Sequence, residues 1–289
     1  MNLTGSQPQN TQKNIALKAV AIIPARYASN RFPGKALAEI DGKAMICCVA
    51  ERASAARNVA RVIVATDDHR IFDAVRDAGF DAVMTRTDHA SGTDRIAEVA
   101  ATLDGTEIIV NVQGDEPLIA PETIERAVEE LGRTDAETGR RGDGETGIVT
   151  TWERMDSVED VLSPDVVKIV VDREGYAIYF SRSPVPYPRE AVRKHGSIEA
   201  ALESDPALLK QFRKHTGLYV YRKDVLLALS RWPQSELEKA ESLEQLRALE
   251  HGVKIRAVEA ATRSIGVDTE RDLELVRKIV SSSEFRVSV

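Results

Sequence analysis

A cluster of cations in the first part of the chain could hold a phosphate-rich ligand. Arg26, Arg31 and Lys35 fall within one short loop that follows an apolar run. Cations at the end of a strand favour a triphosphate, because they offset the charge that develops on a leaving pyrophosphate. The loop lacks the G-x-x-x-x-G-K-[ST] spacing, and no G-x-G-x-x-G sequence follows the strand. Taken alone, the loop is equally consistent with a solvated basic surface.

Two aspartates are the candidate metal ligands. Asp115 follows the apolar run 108–112, and Asp268 stands where a loop meets the last helix. A carboxylate facing a triphosphate is a natural ligand for Mg²⁺, so we expect Mg²⁺ as the cofactor. The alternatives are structural: Asp115 could cap a helix or stabilise a turn, and Asp268 could be the N-cap of the last helix. Glu116 is predicted to be solvated.

A polar turn at 89–95 could contact a nucleotide. Helix-start amides and hydroxyls suit the recognition of a base or a phosphate, and this turn opens a predicted helix. The alternative is a segment that only caps the helix. The candidates in this turn are Ser91, Gly92, Thr93 and Arg95.

Other kinds of catalytic centre are disfavoured. The five histidines show no zinc-binding spacing such as H-E-x-x-H, and no G-x-S-x-G sequence marks a nucleophile. His215 precedes a β-rich run, where it could contact a ligand or only cap the strand. The two cysteines, Cys47 and Cys48, are adjacent and do not suit a mutual disulfide, so a reducing, cytoplasmic location is expected.

The elements that must position these residues alternate between β-rich runs and amphipathic helices. Strands are predicted at 19–23, 61–65, 81–84 and 108–112, and helices at 45–57, 69–78, 94–102 and 121–131. Pro24 is expected to end the first strand. This alternation predicts an α/β fold with a mostly parallel sheet flanked by helices, of the Rossmann-like nucleotidyltransferase type. Ligands in such sheets bind at the carboxyl ends of the strands.

The second half of the chain has a different rhythm. Strands at 166–171 and 176–180 are joined by a hairpin at 172–175, and further strands are predicted at 216–221 and 254–258. Helices are expected near 235–250 and 269–280. We therefore divide the chain into a disordered extension (1–18), a nucleotide-binding α/β part (19–150), a smaller antiparallel-rich part (151–230) and a C-terminal return to the main sheet (231–289). Residues 132–147 are expected to form a surface loop.

Composition and charge narrow the possible functions. The chain has 289 residues, of which 43% are hydrophobic and 29% charged, which is typical of a globular protein. There is no apolar run of about 18 residues, so no membrane span is expected. The net charge of -7 argues against a nucleic-acid partner, although it allows a local basic pocket.

The order of these motifs resembles one enzyme family, the 3-deoxy-D-manno-octulosonate (Kdo) cytidylyltransferases. The resemblance extends from about residue 19 to residue 280. The matching stretches are Ile22-Ile23-Pro24-Ala25-Arg26, Arg31-Phe32-Pro33-Gly34-Lys35, Val64-Ala65-Thr66-Asp67-Asp68, Ser91-Gly92-Thr93-Asp94-Arg95, Asn111-Val112-Gln113-Gly114-Asp115-Glu116-Pro117, Tyr179-Phe180-Ser181-Arg182, Lys214-His215, Gly217-Leu218-Tyr219, Leu243-Glu244-Gln245-Leu246-Arg247 and Gly266-Val267-Asp268-Thr269.

The resemblance implies a reaction in which the anomeric hydroxyl of Kdo attacks the α-phosphate of CTP, with Mg²⁺, to give CMP-Kdo and pyrophosphate. It also implies a homodimer formed through the smaller part of the chain. Arg26, Lys35, Asp115 and Asp268 match the catalytic set, which includes the two metal-binding carboxylates. The nucleotide-binding positions are Arg26, Arg31, Lys35, Ser91, Gly92, Thr93, Arg95 and Asp115. The sugar-binding positions are Gln113, Arg182, His215, Tyr219, Glu244 and Gln245.

Two other functions are weighed against this one. The first is a cytidylyltransferase for another acidic sugar, such as an amino derivative of Kdo or a sialic acid. The second is a nucleotide-binding regulator that has lost catalysis. The presence of the whole catalytic set disfavours the regulator.

Overall fold

The computed structural model describes residues 18–28, 32–138 and 146–282, with only the backbone described for 134–138. One nine-stranded sheet dominates this part of the chain. Its main path runs in the order Lys254–Glu259 (β11), Thr146–Arg154 (β7), Arg213–Arg222 (β10), Ile108–Asn111 (β6), Ala19–Ala25 (β1), Val59–Thr66 (β4) and Asp81–Met84 (β5). Lys168–Val171 (β8) and Ala177–Ser181 (β9) extend it beside β10. Along the main path only β10 runs against the others, because it pairs antiparallel with both β6 and β7. The predicted mostly parallel α/β sheet is confirmed.

The strands and helices have the following bounds. The strands are β1 Ala19–Ala25, β2 Glu39–Ile40, β3 Lys43–Ala44, β4 Val59–Thr66, β5 Asp81–Met84, β6 Ile108–Asn111, β7 Thr146–Arg154, β8 Lys168–Val171, β9 Ala177–Ser181, β10 Arg213–Arg222 and β11 Lys254–Glu259. The helices are α1 Met45–Ser54, α2 His69–Asp77, α3 Gly92–Ala101, α4 Pro121–Thr138, α5 Val158–Leu162, α6 Arg189–His195, α7 Ile198–Ser204, α8 Lys223–Leu229, α9 Glu236–Glu241, α10 Gln245–Glu250 and α11 Glu270–Ser281. Short 3-10 helices cover Lys35–Leu37 and Pro206–Gln211. None of the helices in these ranges is both long enough and apolar enough to span a membrane.

β1 lies at the centre of the sheet because its apolar side chains are buried on both faces. The prediction that Pro24 ends this strand is wrong: Pro24 is paired with Ala65 of β4, and the strand continues to Ala25. On the opposite side, β6 pairs with β1 only as far as Asn111. The Pro24 carbonyl faces the β6 side, near Gly114. Because the nitrogen and carbonyl of a strand residue point to the same side, the missing N–H of the proline removes no hydrogen bond between β1 and β4.

The predicted surface loop at 132–147 is wrong at both ends. Helix α4 continues to Thr138, and strand β7 begins at Thr146, while 139–145 lie outside the described residues. β7 was not predicted, although its Ile148-Val149-Thr150-Thr151-Trp152 run is rich in β-branched side chains. It lies between β10 and β11, and it pairs parallel with β11. The predicted extension 1–18 also lies outside the described residues, apart from residue 18.

The single helix predicted near 235–250 is in fact two helices. α9 ends at Glu241, its C-cap Ser242 adopts a left-handed conformation with φ of 53°, and α10 starts at Gln245. The break turns residues 242–245 toward the sheet, where they line a cavity. Helices α5, α6, α7 and α8 were not predicted. The hairpin between β8 and β9 is confirmed by their antiparallel pairing.

Candidate active site

A cavity of about 560 Å³ opens at the carboxyl ends of β1 and β6. This is the edge of the sheet where ligands of parallel α/β folds bind. Most of the residues predicted to bind a nucleotide meet there. The cavity is lined by Pro24, Ala25, Arg26, Lys35, Ala36, His89, Ala90, Ser91, Gly92, Arg95, Gln113, Gly114, Asp115, Glu244 and Asp268.

The Lys35 ammonium lies between the two predicted metal ligands. Its Nζ is 2.6 Å from Asp115 Oδ2 and 3.2 Å from Asp268 Oδ1. The ammonium also donates to the carbonyl of Val267 at 3.1 Å, and the Val267 N–H donates to the Asp115 carbonyl at 2.8 Å. The two aspartates, 153 residues apart in the chain, therefore face one crevice, as the parallel sheet predicts.

Asp268 is not the cap of the last helix. The N-cap of α11 is Thr269, whose side chain accepts from the Asp272 N–H at 3.2 Å. The Asp272 carboxylate accepts in return from the Thr269 N–H at 2.8 Å, which completes a capping box. The structural alternative for Asp268 is therefore wrong, and its carboxylate is directed to the cavity.

The carboxylates of Asp115 and Asp268 fit a magnesium ion in number and chemistry. Within the described ranges, no group of three or more His, Cys, Asp or Glu side chains forms a metal site. Mg²⁺ does not require one, because it is commonly held by one or two carboxylates together with substrate phosphates and water. Asp115 and Asp268 are therefore the side chains that would hold the ion.

The turn before α3 both caps the helix and lines the cavity. Ser91 is the N-cap of α3, and its hydroxyl accepts from the Asp94 N–H at 3.1 Å. The Thr93 hydroxyl donates to the carboxylate of Glu244. Burial raises the pKa of Glu244. The capping alternative is thus confirmed for Ser91, without excluding contact with a ligand.

Arg95 is held in place by its own partners. Its guanidinium forms an ion pair with Asp67 at 2.7 Å and also donates to the hydroxyl of Thr85. The Arg95 residue is only 5% exposed. Asp67 and His89 were not predicted as parts of the site. His89 lines the cavity and contacts the carboxylate of Glu98.

A second cavity of about 400 Å³ adjoins the first. Gly92, Gln113 and Glu244 line both cavities, so the two form neighbouring compartments of one cleft. Seven predicted site residues lie on the second cavity, and five of them were predicted to bind the sugar. Its lining consists of Gly92, Thr93, Asn111, Gln113, Ile148, Val167, His215, Tyr219, Tyr221, Leu229, Ser242, Leu243, Glu244 and Gln245.

His215 brings a neutral imidazole to the second cavity. Its Nε2 lies 2.9 Å from the hydroxyl of Thr150, and its ring packs edge-on against Phe180 with centroids 5.0 Å apart. Burial lowers the pKa of His215 to about 3, so the ring is uncharged near neutral pH. His215 is the third residue of β10, so it does not cap the strand. Tyr219 lies beside it on the same strand, with ring centroids 5.3 Å apart.

Gln113 is positioned by a glycine that interrupts the β10 ladder. Between Thr216 and Tyr219 the pairing of β10 with β7 shifts register. The Gly217 carbonyl, within this irregularity, accepts from Gln113 Nε2 at 3.1 Å. A β-carbon at Gly217 would lie 2.7 Å from Gln113 Cγ, which is too close for any other residue without a shift.

The prediction that Glu116 is solvated is wrong. Its Oε2 is buried and has no hydrogen-bond partner. Burial, together with the negative charge of Asp115, raises the pKa of Glu116 to about 7. Asp115 occupies the crevice, and Glu116 instead faces Glu153 and Ser264 behind it.

Two predicted site residues are not in the described lining of either cavity. Arg31 lies outside the described residues. The Arg182 guanidinium donates to backbone carbonyls, among them Glu241 at 2.6 Å and Pro164 at 2.8 Å. Arg182 therefore lies behind the second cavity in this structure.

Comparisons with known proteins agree with one another. A family model described as cytidylyltransferase matches residues 20–255. A protein of Geobacter sulfurreducens named 3-deoxy-manno-octulosonate cytidylyltransferase is 52% identical over 90% of this chain and 98% of its own length. A protein of Syntrophotalea carbinolica with the same name is 51% identical over 89% of this chain and 96% of its own.

Solved structures give the same result at the level of the fold. A CMP:2-keto-3-deoxy-manno-octonic acid synthetase complexed with CTP superposes with a TM-score of 0.78 at 42% identity, over 91% of this chain and 98% of that one. A 4-diphosphocytidyl-2C-methyl-D-erythritol synthase from Anaerococcus prevotii shares only the fold, with a TM-score of 0.56 at 12% identity over 92% of this chain and 97% of that one.

Proposed function

The chain belongs to the cytidylyltransferase family, and we propose that its two adjoining cavities hold CTP and Kdo side by side. The enzyme activates Kdo with CTP to give CMP-Kdo and pyrophosphate. The observation that carries the arrangement is the pair Gln113 and Glu244, which line both cavities. Two substrates bound there would meet at the shared wall, which suits direct transfer between them.

The first cavity is proposed to bind the triphosphate of CTP. Arg26 and Lys35 supply positive charge at the end of β1, close to the helix-start turn at Ser91 and Gly92. In the reaction, a bond forms between the anomeric oxygen of Kdo and the α-phosphorus, and the bond from that phosphorus to pyrophosphate breaks. The hydroxyl releases its proton to solvent water. Such a step depends on positioning and charge neutralisation more than on a protein nucleophile.

Mg²⁺ is the proposed cofactor, held by Asp115 and Asp268. When bound, the ion would neutralise phosphate charge and make the attacking hydroxyl more acidic. The two carboxylates share the Lys35 ammonium, at 2.6 and 3.2 Å. Asp115 and Asp268 would hold the ion, and the Lys35 ammonium beside them would supply a second positive charge to the phosphates.

The second cavity is proposed to bind the acidic sugar through neutral hydrogen-bonding groups. The uncharged His215 can donate or accept one hydrogen bond, and Tyr219 and Gln245 provide further polar groups. Sugar hydroxyls require this kind of partner. Arg182 donates to carbonyls in this structure, and its proposed contact with the sugar carboxylate would require it to change partners.

A homodimer in the cytoplasm, serving lipopolysaccharide or capsule synthesis, completes the proposal. Ile178 on β9 and Tyr187 after it are 60% and 59% exposed, and large apolar side chains of this kind are enriched at interfaces. The free thiols of Cys47 and Cys48 support a reducing compartment.

Pyrophosphate release tests the function directly. The purified chain is assayed with each nucleoside triphosphate against Kdo, an amino derivative of Kdo and a sialic acid, with Mg²⁺ and after chelation. We expect release only with CTP, highest turnover with Kdo, and near-complete loss without the metal. No release from CTP with any acidic sugar would instead favour a nucleotide-binding regulator.

A further inference from the structure

Lys168, at the start of β8, is a fully buried lysine with no assigned role. Its residue exposure is 0%. The ammonium donates to three backbone carbonyls, those of Ser163 at 2.8 Å, Val166 at 2.7 Å and Arg182 at 2.6 Å. All three of its N–H donors are therefore used, and the bonds tie the loop before β8 to the end of β9.

The Lys168 charge is buried without a direct counter-ion. Among the described residues, no carboxylate lies within ion-pair distance of it. The carboxylate of Glu241 instead accepts from the Ser181 hydroxyl at 2.7 Å and the Arg182 N–H at 2.9 Å. Burial accordingly lowers the pKa of Lys168. Burying an ammonium costs free energy unless its hydrogen bonds are made. Loss of any of the three carbonyl bonds would therefore be unfavourable, and the segments that supply these carbonyls are held in place.

The first segment that Lys168 fixes is a wall of the second cavity. Val167, which lines that cavity, stands between Lys168 and Val166, whose carbonyl the ammonium holds. The Val167 carbonyl accepts from the backbone N–H of His215 at 2.8 Å. Lys168 therefore holds Val166, and the adjacent Val167 holds the backbone of His215 in the cavity.

The second segment is reached through Arg182. While its carbonyl accepts from Lys168, its guanidinium donates to the carbonyls of Glu241 at 2.6 Å and Ser242 at 3.4 Å. Ser242 is the left-handed residue that breaks the helix before α10, and it begins the cavity wall that includes Glu244. Both sides of the second cavity are therefore fixed from one buried cation.

We propose that Lys168 is a positioning residue for the acceptor sugar: through Val167 and Arg182 it sets the two walls of the second cavity. This inference rests on the proposed function, since it assigns the second cavity to Kdo. Lys168 touches neither cavity in the described lining, so it acts only through its neighbours.

Steady-state kinetics of Lys168→Met test the proposal. We expect the KM for Kdo to rise at least tenfold, while the KM for CTP and the Kd for CTP binding alone stay within twofold of wild type. Lys223→Met is the matched control, because Lys223 also donates to a backbone carbonyl, that of Leu103, and neither residue is in the described lining of the second cavity. The control should lose stability without any change in the KM for Kdo.

The outcomes separate the two proposals. If wild type releases no pyrophosphate from CTP and Kdo, the proposed function fails. If wild type is active and folded Lys168→Met keeps its KM for Kdo, or raises both KM values equally, the positioning role is overturned. Should the Met variant not fold, Lys168→Gln, which retains two N–H donors without the charge, takes its place. An unchanged KM for Kdo in that folded variant likewise overturns the role.

Discussion

Replacing Asp268 with asparagine should lower turnover and leave the fold intact. The substitution keeps the size of the side chain but removes the charge that lies 3.2 Å from Lys35 Nζ. At about 4 Å and an effective dielectric constant of about 20, such a charge contributes about 4 kcal/mol. The Asp268 side chain is 48% exposed, so solvent screening reduces this contribution. We therefore expect kcat to fall roughly tenfold to a hundredfold, or about 1.4 to 2.7 kcal/mol in the barrier.

Asp115→Asn should cost at least as much as Asp268→Asn. Its side chain is 30% exposed and lies closer to the ammonium, at 2.6 Å. In both variants the free energy of unfolding should stay within about 0.5 kcal/mol of wild type, because neither side chain caps a helix.

Asp272→Ala is the matched control for Asp268. Asp272 closes the capping box of α11, so its loss should cost about 0.5 to 2 kcal/mol of stability. Turnover per folded molecule should remain within about twofold. Pyrophosphate release measures kcat, and denaturant titration measures the free energy of unfolding. Full activity in Asp268→Asn, or a loss of stability equal to that of Asp272→Ala, would refute the metal role.

Three further outcomes are expected. UTP and ATP should give at least about tenfold lower kcat/KM than CTP. The reason is that the fixed hydrogen-bond donors and acceptors of a base pocket stay unpaired when the wrong base is bound. Equal turnover with the three nucleotides would contradict this. The folded pKa of His215 is about 3, below its ordinary value of 6.5, so the unfolded chain takes up this proton first as the pH falls. Between pH 6.5 and pH 5, protonation of His215 in the unfolded chain should lower the free energy of unfolding by about 2 kcal/mol. Denaturant titrations of His215→Gln at the two pH values should not show this decrease. Light scattering should give a dimer that Ile178→Glu shifts toward monomer; a fully active monomeric wild type at micromolar concentration would argue against a functional dimer.

Local patterns in the sequence predicted most of the first half of the fold. The apolar runs at β1 and β6 are typical of strands buried on both faces, and the helices between them bury one apolar face. The parallel sheet that follows from this alternation also placed Asp115 and Asp268 at one edge. That inference needed no side-chain detail, because the carboxyl ends of parallel strands always meet at the same edge.

The features that escaped prediction depend on contacts between distant segments. The cap of α11 is set locally by the capping box of Thr269 and Asp272, but the contact of Asp268 with Lys35 joins segments 233 residues apart. Glu116 has the same local sequence signals as an exposed residue, but it is half-buried, and distant residues such as Glu153 and Ser264 lie beside its carboxyl group.

Tertiary structure also decided which polar residues face a ligand and which support those that do. Arg182 and Lys168 both carry charge near the β8–β9 hairpin, and nothing in their spacing shows that they bond to carbonyls behind the cavity. The break at Ser242 is similar, because a left-handed residue there is held by the bond from Arg182. Sequence determines which chemistry is available to each segment, but the direction of a side chain depends on partners that only the folded chain brings within hydrogen-bond distance.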